Sequence, residues 1–362
     1  MAFTDIAHLR LLSQQIESSK LKSAKELVDF MGAMQAQDCV MAKWAIGLRL
    51  PGSTDKKIGI ALDKGEIIRT HAMRPTWHFV SADDIYWMLE LTAPQIKSAT
   101  KARHKQLEFT EKILTKTNNI IEKSLRDGKH LTREELMAII KKEKIATNDN
   151  RSSHIMLIAE LDGIVCSGKI KNNKQTYALL SERVQKKKTF TRDEALALLA
   201  QKYFTSHCPA TLQDFIWWSG LLVKDARQAF EMVKHNFISE RIGSEIYWLT
   251  NSFSPNLKLK TSAYLLPAYD EFLISYKDRT ASLTQEHNKK TVSTNGIFWP
   301  VVVINGKVTG SWKRTLKKDR VIVETSLFKQ HSKTTIKLIE KAAGIFGKFL
   351  EKEAETFHNI SR

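Results

Sequence analysis

The sequence predicts an α+β fold in which tandem winged-helix units precede a β-rich, barrel-like C-terminal part with a terminal helix. Two observations predict the tandem units. Related stretches lie 59 residues apart, beginning at Thr132 and Thr191, and each has two helical patterns followed by a hairpin pattern. A third observation predicts the C-terminal part, because apolar strand-like runs replace the helical patterns from about Ser262.

The N-terminal stretch has the same order of patterns. Amphipathic helices are predicted from Ile6 to Glu17 and from Ala24 to Met34, and the run EIIRTHAMRPTWHFV is typical of two strands joined by a turn at Pro75. A helix-helix-hairpin order with a basic hairpin is typical of a winged helix. We therefore expect residues 1–82 to form the first unit, with its hairpin near 67–80.

The next two units begin with similar helix-start signals. Thr132 and Thr191 each precede a helical pattern, and an acidic residue follows within three positions, which is the spacing of a capping box. Hairpins are predicted near 164–180 and 237–249. We expect the second unit to comprise residues 83–185 and the third unit residues 186–260.

The remaining residues, 261–362, have a different pattern. Asn305-Gly306 lies between the apolar runs VVVI and KVTGSW, and this dipeptide is a strong signal for a two-residue hairpin turn. The polar stretch 280–294 is predicted to be a surface loop. A lysine-rich amphipathic helix is predicted over 334–353, where it closes the chain.

The charge balance indicates a polyanionic partner. The chain has 57 Lys and Arg against 39 Asp and Glu, a formal net charge of +18. A winged helix places one helix in the major groove and its hairpin against the backbone, so double-stranded DNA is the expected partner. An indifferent basic surface is the alternative. We expect a monomer because the chain has no heptad dimerisation segment.

Several other classes of protein are not favoured. The cysteines, Cys39, Cys166 and Cys208, are scattered and form no ligand cluster, so neither a metal nor a cofactor is predicted. Common nucleotide-binding, zinc-protease and hydrolase motifs are absent from the sequence. The N-terminus lacks the apolar core of a signal peptide, and no stretch has the length of a membrane span. We therefore expect a cytoplasmic protein without a membrane partner.

The segment Gln35-Ala36-Gln37 is the most informative candidate site. Glutamines at i and i+2 share one side of an extended segment, and their amides offer acceptors and donors that can orient a water. We expect both side chains to face a concave DNA-binding surface and to act on the same water. The alternative is a polar connector that caps neighbouring helices. Asp38 would point away in an extended connector, so a helix N-cap or salt-bridge role is expected for it.

A wider set of residues resembles a known family. The run QAQD, the helix with Trp44 and GLRLPG, the hairpin IIRTHAMRPTWHFV, and the runs LLPAYDEFLISYKDR and NGIFWPVVVINGKVTGSWKR resemble the winged-helix DNA glycosylases of the azinomycin-resistance, AlkZ-like type. The resemblance extends from Leu9 to about Val323. The family motif is Gln-apolar-Gln, which corresponds here to Gln35-Ala36-Gln37. A sister branch has Asp at the third position.

The resemblance implies that Gln35 and Gln37 are catalytic. The implied reaction is hydrolysis of the N-glycosidic bond of N7-alkylated purines in duplex DNA, a base excision repair of alkylation damage that in some members unhooks interstrand crosslinks. N7 alkylation makes the purine a cationic leaving group, so neutral glutamines that position water can suffice. No lysine nucleophile is marked, and a monofunctional glycosylase without strand cleavage is therefore expected.

Two basic hairpins are candidate DNA-binding elements. Phosphate or groove contacts are predicted for residues of the first unit and of the C-terminal part, namely Arg69, His71, Arg74, His78, Lys313, Arg314, Lys317 and Lys318.

Two non-enzymatic functions remain as alternatives. A regulator built from winged helices would usually bind symmetric half-sites as a dimer. A structural or partner-binding array would bind DNA weakly and without strong dependence on salt. The Gln-Ala-Gln segment, in a context that matches the family, favours the enzyme.

Overall fold

The computed structural model describes residues 6–172, 174–185, 189–251 and 261–360. The N-terminal region packs helices against a three-stranded sheet in which β3 lies between β1 and β2 and is antiparallel to both. Its elements are α1 (Ile6–Ser13), α2 (Ala24–Met31), β1 (Ala33–Gln35), α3 (Cys39–Arg49), α4 (Asp55–Asp63), β2 (Ile67–His71) and β3 (Trp77–Ser81). The predicted hairpin near 67–80 is confirmed. The strand β1 was not predicted.

The second region contains long helices before its hairpin. Its elements are α5 (Ile85–Gln106), α6 (Glu111–Leu125), β4 (Leu131–Thr132), α7 (Arg133–Lys142), α8 (Arg151–Leu161), β5 (Val165–Ser167), β6 (Thr176–Leu179) and α9 (Leu180–Arg183). The capping box at the start of α7 is confirmed, because Thr132 and Glu135 exchange side-chain to backbone hydrogen bonds. The predicted hairpin consists of β5 and β6, and β4 pairs with the outer side of β6.

The third region is smaller. Its elements are α10 (Arg192–Ser206), α11 (Leu212–Ser219), α12 (Val223–Val233), β7 (Ile238–Ile242) and β8 (Glu245–Leu249). Thr191 and Glu194 form the second capping box, and β7 and β8 form the predicted hairpin. The division of the chain into four parts at 82/83, 185/186 and 260/261 stays a prediction, and the residues 186–188 and 252–260 beside two of these boundaries lie outside the described ranges.

The C-terminal region is a five-stranded sheet of order β13-β12-β11-β10-β9. Its elements are β9 (Ala263–Leu266), α13 (Glu271–Ile274), α14 (Gln285–Thr291), β10 (Val301–Ile304), β11 (Lys307–Leu316), β12 (Arg320–Leu327), α15 (Lys333–Phe349) and β13 (Glu353–Ile360). Asn305 and Gly306 have positive φ values of 50° and 77°. They join β10 to β11 in the tight turn that the sequence predicts.

The structure corrects three details of this region. The predicted loop over 280–294 contains α14. The predicted terminal helix is not the last element, because β13 follows α15 and pairs in parallel with β12. The polar sequence EAETFHNI gave no clear apolar alternation, so β13 was missed. Within the described residues, β9 and β13 are the unpaired edges, and the sheet is open rather than closed like a barrel.

The N-terminal region and the C-terminal region share a hydrophobic core. Trp44 of α3 packs against Phe346 and Phe349 of α15, with ring centroids 5.0 and 5.1 Å apart. Its Nε1 donates to the carbonyl oxygen of Leu265 at 2.8 Å, which ties α3 to β9. These contacts hold α3, the helix that follows the Gln-Ala-Gln segment, against α15 and the sheet. No helix in the described ranges is both long and apolar enough to cross a bilayer.

Candidate active site and DNA-binding surface

The two glutamines lie where β1 passes into α3. Gln35 is the last residue of β1 and pairs with His78 of β3. Its side chain is nearly enclosed, with the residue 6% exposed, whereas Gln37 is exposed. The strand ends at Gln35 and the chain bends at Gln37, so strict alternation stops there. The two amides therefore differ in access, and Gln37 is the one available to a large ligand.

Asp38 begins α3 as its N-cap. Its Oδ1 accepts the backbone N–H groups of Val40 and Met41, each at 3.0 Å. This confirms the capping role expected for Asp38 and leaves the carboxylate committed to the helix start. The cap also fixes the direction in which the chain leaves Gln37.

A buried carboxylate holds the backbone of the Gln-Ala-Gln segment. Glu271 of α13 is 2% exposed, and its Oε1 accepts the backbone N–H of Gln35 at 2.6 Å. Its Oε2 accepts Nε1 of Trp218 at 3.2 Å and the hydroxyl of Ser275. Burial alone raises the pKa of Glu271, but the nearby His207, whose Nε2 lies 3.6 Å from Oε2, and hydrogen bonds from Ser275 and the Gln35 N–H lower it to about 2. Glu271 is therefore a buried anion at neutral pH.

Glu271 was not among the predicted site residues. It lies in the run LLPAYDEFLISYKD, which is predicted to belong to the β-rich C-terminal part and which also carries the family resemblance. An acidic residue between apolar residues at the start of a helix is usually a cap, and the neighbouring Asp270 does cap α13. The contact between Glu271 and Gln35 spans 236 residues, so no local pattern pointed to it.

His78 lies beside Gln35 in the interior. It is 1% exposed, and its Nδ1 lies 2.9 Å from the carbonyl oxygen of Thr76. Burial and the positive charge of Arg74 lower the pKa of His78 to about 3, so the ring is neutral at physiological pH. Within the described part of the chain its Nε2 has no hydrogen-bond partner. This burial does not support the predicted contact of His78 with DNA.

His71 has an internal role as well. Its backbone N–H donates to Oε2 of Glu160 at 2.8 Å, and its Nδ1 contacts the same carboxylate oxygen. Glu160 lies on α8, is 1% exposed, and also accepts Nε1 of Trp77 at 3.4 Å. The predicted DNA contact of His71 is therefore not supported, since the residue is 6% exposed. Its visible role is to join the first hairpin to the second region.

Arg69 supports the backbone of the motif. Its Nε donates to the carbonyl oxygen of Ala36 at 2.9 Å, and its Nη2 donates to that of Gln37 at 3.3 Å. The guanidinium lies 4.5 Å from the centre of the Trp77 ring. A guanidinium bonded in this way holds the segment between β1 and α3 in one conformation. Arg69 remains partly exposed and can also meet a phosphate.

Arg74 reaches Gln35 from the hairpin turn. Its Nη2 donates to Oε1 of Gln35 at 3.4 Å, a long hydrogen bond. Burial lowers the pKa of Arg74, whereas the nearby Glu271 raises it. Gly220 at the end of α11 permits this approach, because a Cβ there would lie 2.8 Å from the carbonyl oxygen of Met73. Arg74 therefore orients the Gln35 amide and is less available to DNA than predicted.

The four predicted cations of the C-terminal hairpin have different environments. Lys313 pairs with Glu324 at 3.2 Å, and Arg314 is half-buried with its guanidinium against the sulfur of Met41. Lys317 and Lys318 are exposed at the turn between β11 and β12. These two lysines are the members of the set best placed for phosphate contacts.

A basic cleft missed by the sequence analysis adjoins the motif. Its volume is about 280 Å³, and it is lined by residues of the first and second regions, Arg69, Trp77, Arg133, Glu134, Lys174, Gln175 and Tyr177. Arg69 connects this cleft to the carbonyl oxygen of Gln37. Three cations against one carboxylate favour an anionic ligand here. Arg133 and Lys174 were not predicted to belong to the site, because they are far from Arg69 in the sequence and only the fold brings the three together.

The arrangement suits a reaction in which a water molecule is oriented rather than deprotonated by a strong base. The exposed neutral amide of Gln37 lies beside cations, and the buried carboxylate of Glu271 accepts a hydrogen bond from the backbone of β1. Among the described residues, no group of three or more His, Cys, Asp or Glu side chains is arranged to hold a metal ion.

Comparisons with known proteins agree on one family. The family model for AlkZ-like DNA glycosylases matches residues 28–349. A similar curated protein is an interstrand DNA cross-link repair glycosylase from Streptomyces sahachiroi, 23% identical over 357 residues that cover 92% of each chain. The solved structure of the Streptomyces sahachiroi DNA glycosylase AlkZ matches with a TM-score of 0.79 at 20% identity, over 97% of this chain and 98% of that one. The structural match supports the fold.

Proposed function

Because this chain belongs to the AlkZ-like DNA glycosylase family, whose model matches residues 28–349, we propose that it hydrolyses the N-glycosidic bond of N7-alkylated purines in double-stranded DNA. The enzyme is monofunctional and leaves an abasic site in an unbroken strand. Interstrand crosslinks through N7 are further substrates, and the curated relative named for crosslink repair supports this part of the proposal. Cutting one glycosidic bond of a crosslink frees one strand while the lesion stays attached to the other.

The observation that carries the proposal is the support given to Gln35-Ala36-Gln37. The backbone of this segment is held by Glu271 at the Gln35 N–H and by Arg69 at two carbonyl oxygens. The Gln35 amide is held by Arg74. A catalytic amide is useful only if it is fixed before the substrate arrives. The exposed Gln37 amide projects from this fixed segment.

The chemistry needs little acid or base assistance. As the glycosidic bond breaks, its electron pair moves to the cationic base, which leaves neutral, and positive charge develops on the sugar. The water oxygen bonds to C1′ of the sugar, and the water proton passes to solvent. Gln37 orients the water through the carbonyl oxygen of its side-chain amide, and the side-chain amide of Gln35 supports it. The negative charge of Glu271, fixed behind β1, stabilises the positive charge on the sugar.

The cations around the motif supply the affinity for DNA. Arg133 and Lys174 meet phosphates at the cleft beside Arg69, and Lys317 and Lys318 meet them at the β11–β12 turn. Contacts of this kind do not depend on base sequence. A repair enzyme has to bind any sequence in which a lesion occurs, so this property suits the proposed function.

The direct test is release of free base. The protein is incubated with a duplex containing N7-methylguanine, and the supernatant is analysed for free N7-methylguanine against a mock incubation. We expect release of the base and an abasic strand that breaks only after alkaline heating. Sequence-selective DNA binding without base release would instead favour a regulatory protein.

A further inference from the structure

Two neighbouring tryptophans of α11 have opposite environments. Trp218 is 0% exposed, and its Nε1 donates to Oε2 of Glu271 at 3.2 Å, so it belongs to the interior. Trp217, the residue before it, is 41% exposed. A large aromatic ring left in water gives up the hydrophobic stabilisation that burial would provide. Neither the packing of the fold nor the role proposed for Gln37 accounts for this exposed ring.

The ring of Trp217 is held in one orientation. Its Nε1 donates to the carbonyl oxygen of Ile274 at 2.9 Å, which joins α11 to α13. The end of α11 also lies against the first hairpin, since a Cβ on Gly220 would come within 2.8 Å of the carbonyl oxygen of Met73. An indole fixed at its polar edge presents its flat surface in a constant position. Trp217 is therefore ordered before any ligand arrives, which lowers the entropic cost of binding to it.

Two guanidinium groups lie beside the exposed ring. The Cζ atom of Arg279 is 5.4 Å from the centre of the Trp217 ring, and that of Arg74 is 6.0 Å from it. Arg279 is itself fixed, because its Nε donates to the carbonyl oxygen of Leu273 at 2.9 Å. Arg74 also donates to Oε1 of Gln35 at 3.4 Å. One side chain therefore connects the ring of Trp217 to the Gln-Ala-Gln segment.

An exposed aromatic ring between cations is typical of surfaces that bind unstacked nucleotides. The base stacks on the ring, and the cations lie near the backbone phosphates. Every base has a flat π surface, so this contact does not depend on base sequence. Removal of one base from a duplex leaves the base opposite without a pairing partner and the adjacent bases without a stacking neighbour. The product of the proposed reaction therefore contains the kind of group that Trp217 can bind.

We propose that Trp217 stacks on a base that excision leaves without its neighbour, and that Arg279 lies beside the phosphate of that nucleotide. The proposal rests on the proposed function and extends it from the damaged substrate to the abasic product. It gives Trp217 a binding role that is separate from the orientation of water by Gln37.

The test compares binding to two duplexes of one sequence, an intact duplex and a duplex with a tetrahydrofuran abasic analogue opposite cytosine. Fluorescence anisotropy gives Kd for each, and their ratio is the preference for the abasic duplex. We expect the wild-type protein to prefer the abasic duplex and Trp217→Ala to lower that preference about tenfold, the size expected for one lost stacking contact. Trp217→Phe keeps a flat ring and should retain most of the preference. Trp217→Leu keeps apolar bulk without a flat ring and should lose the preference as Trp217→Ala does.

Phe357→Ala is the control for loss of an exposed aromatic ring. Phe357 is 48% exposed and lies on β13 rather than on α11. This variant should keep the wild-type preference for the abasic duplex.

The preference separates this proposal from a structural role of Trp217. If Trp217 only supports Arg74, base release falls in Trp217→Ala while the preference stays at the wild-type value, and the stacking role is overturned. A wild-type protein that binds both duplexes equally, or a preference lowered as much by Phe357→Ala, would overturn it as well. Failure of the wild-type protein to release N7-methylguanine would overturn the proposed function instead. The binding test uses no damaged base, so the two failures are distinguishable.

Discussion

The Gln35 backbone N–H donates to Oε1 of Glu271 at 2.6 Å, and this hydrogen bond joins the candidate catalytic strand to the start of the C-terminal region. Glu271 also accepts Nε1 of Trp218, so its carboxylate holds two regions of the chain against β1. The contact has structural and electrostatic consequences. It fixes the motif, and it places a buried negative charge behind the position proposed for the sugar.

We expect Glu271→Gln to slow single-turnover base release about tenfold, because removing a nearby charge weakens stabilisation of the positively charged sugar by roughly 1.4 kcal/mol. The amide still offers one oxygen to the Gln35 N–H, but its NH2 group faces the Trp218 N–H that the carboxylate accepts, so the thermal stability of the variant is measured beside its rate. Affinity for undamaged duplex should stay at the wild-type value. Glu340→Gln on the outer side of α15 is the control, since this side chain is half-exposed. An equal loss of rate in both variants would contradict a specific role for Glu271.

Gln35→Ala and Gln37→Ala should each slow base release by about 10²–10³, the loss expected on removing a positioned polar group from a transition state. DNA affinity should barely change, since neither residue is charged. If both amides act on one water, the double variant loses less than the product of the two single effects. Release of N7-methylguanine and duplex binding are measured on the same preparations. Full activity in the double variant would place the active site elsewhere.

Duplex binding should depend strongly on salt. If about six phosphates are neutralised, log K should fall against log salt with a slope near −5. Replacing both Lys317 and Lys318 by Gln should reduce the magnitude of that slope by about 2, since each exposed lysine contributes about one phosphate contact. Fluorescence anisotropy at four salt concentrations gives both slopes. Equal slopes for the two proteins would show that the β11–β12 turn does not contact the backbone.

Stability should fall in mild acid because of His78. Its folded pKa is lowered to about 3 by burial first and by Arg74 second, whereas an unfolded histidine titrates near 6.5. Between these values the unfolded chain binds a proton that the folded chain does not, so the free energy of unfolding decreases as pH falls, by up to about 1.4 kcal/mol per pH unit. Denaturant unfolding at pH 7 and pH 5 measures this. In His78→Asn the loss between these two pH values should be smaller, and an identical loss would contradict the assignment.

Local signals in the sequence were sufficient for much of the fold. The two capping boxes and the Asn305-Gly306 turn were predicted because their hydrogen bonds and dihedral angles involve residues close together in the chain. The strand β13 was missed because its polar residues alternate weakly and its partner β12 lies beyond a helix. Helical patterns likewise gave no indication that β1 adds a third strand to the first hairpin.

The candidate site was predicted only in part. Gln35, Gln37 and the cap at Asp38 are contiguous, so a motif and a helix-start signal were enough to identify them. Glu271, Arg133 and Lys174 reach the site from distant segments, and only tertiary contacts identify them. His71 and His78 were predicted to contact DNA because strand alternation does not tell which face of a hairpin another element covers. In the folded chain Glu160 of α8 lies against His71, and His78 is buried where β3 pairs with β1.

The packing of Trp44 on Phe346 and Phe349 has a consequence for the synthesis of the protein. The Gln-Ala-Gln segment leaves the ribosome early, but the aromatic residues that hold the helix after it are made about 300 residues later. At about 5–20 residues per second, this delay lasts roughly 15–60 s. The nascent chain therefore carries its candidate catalytic residues for most of its synthesis without the support that orders them. Base release should accordingly begin only after Phe346 and Phe349 have been made and have packed on Trp44.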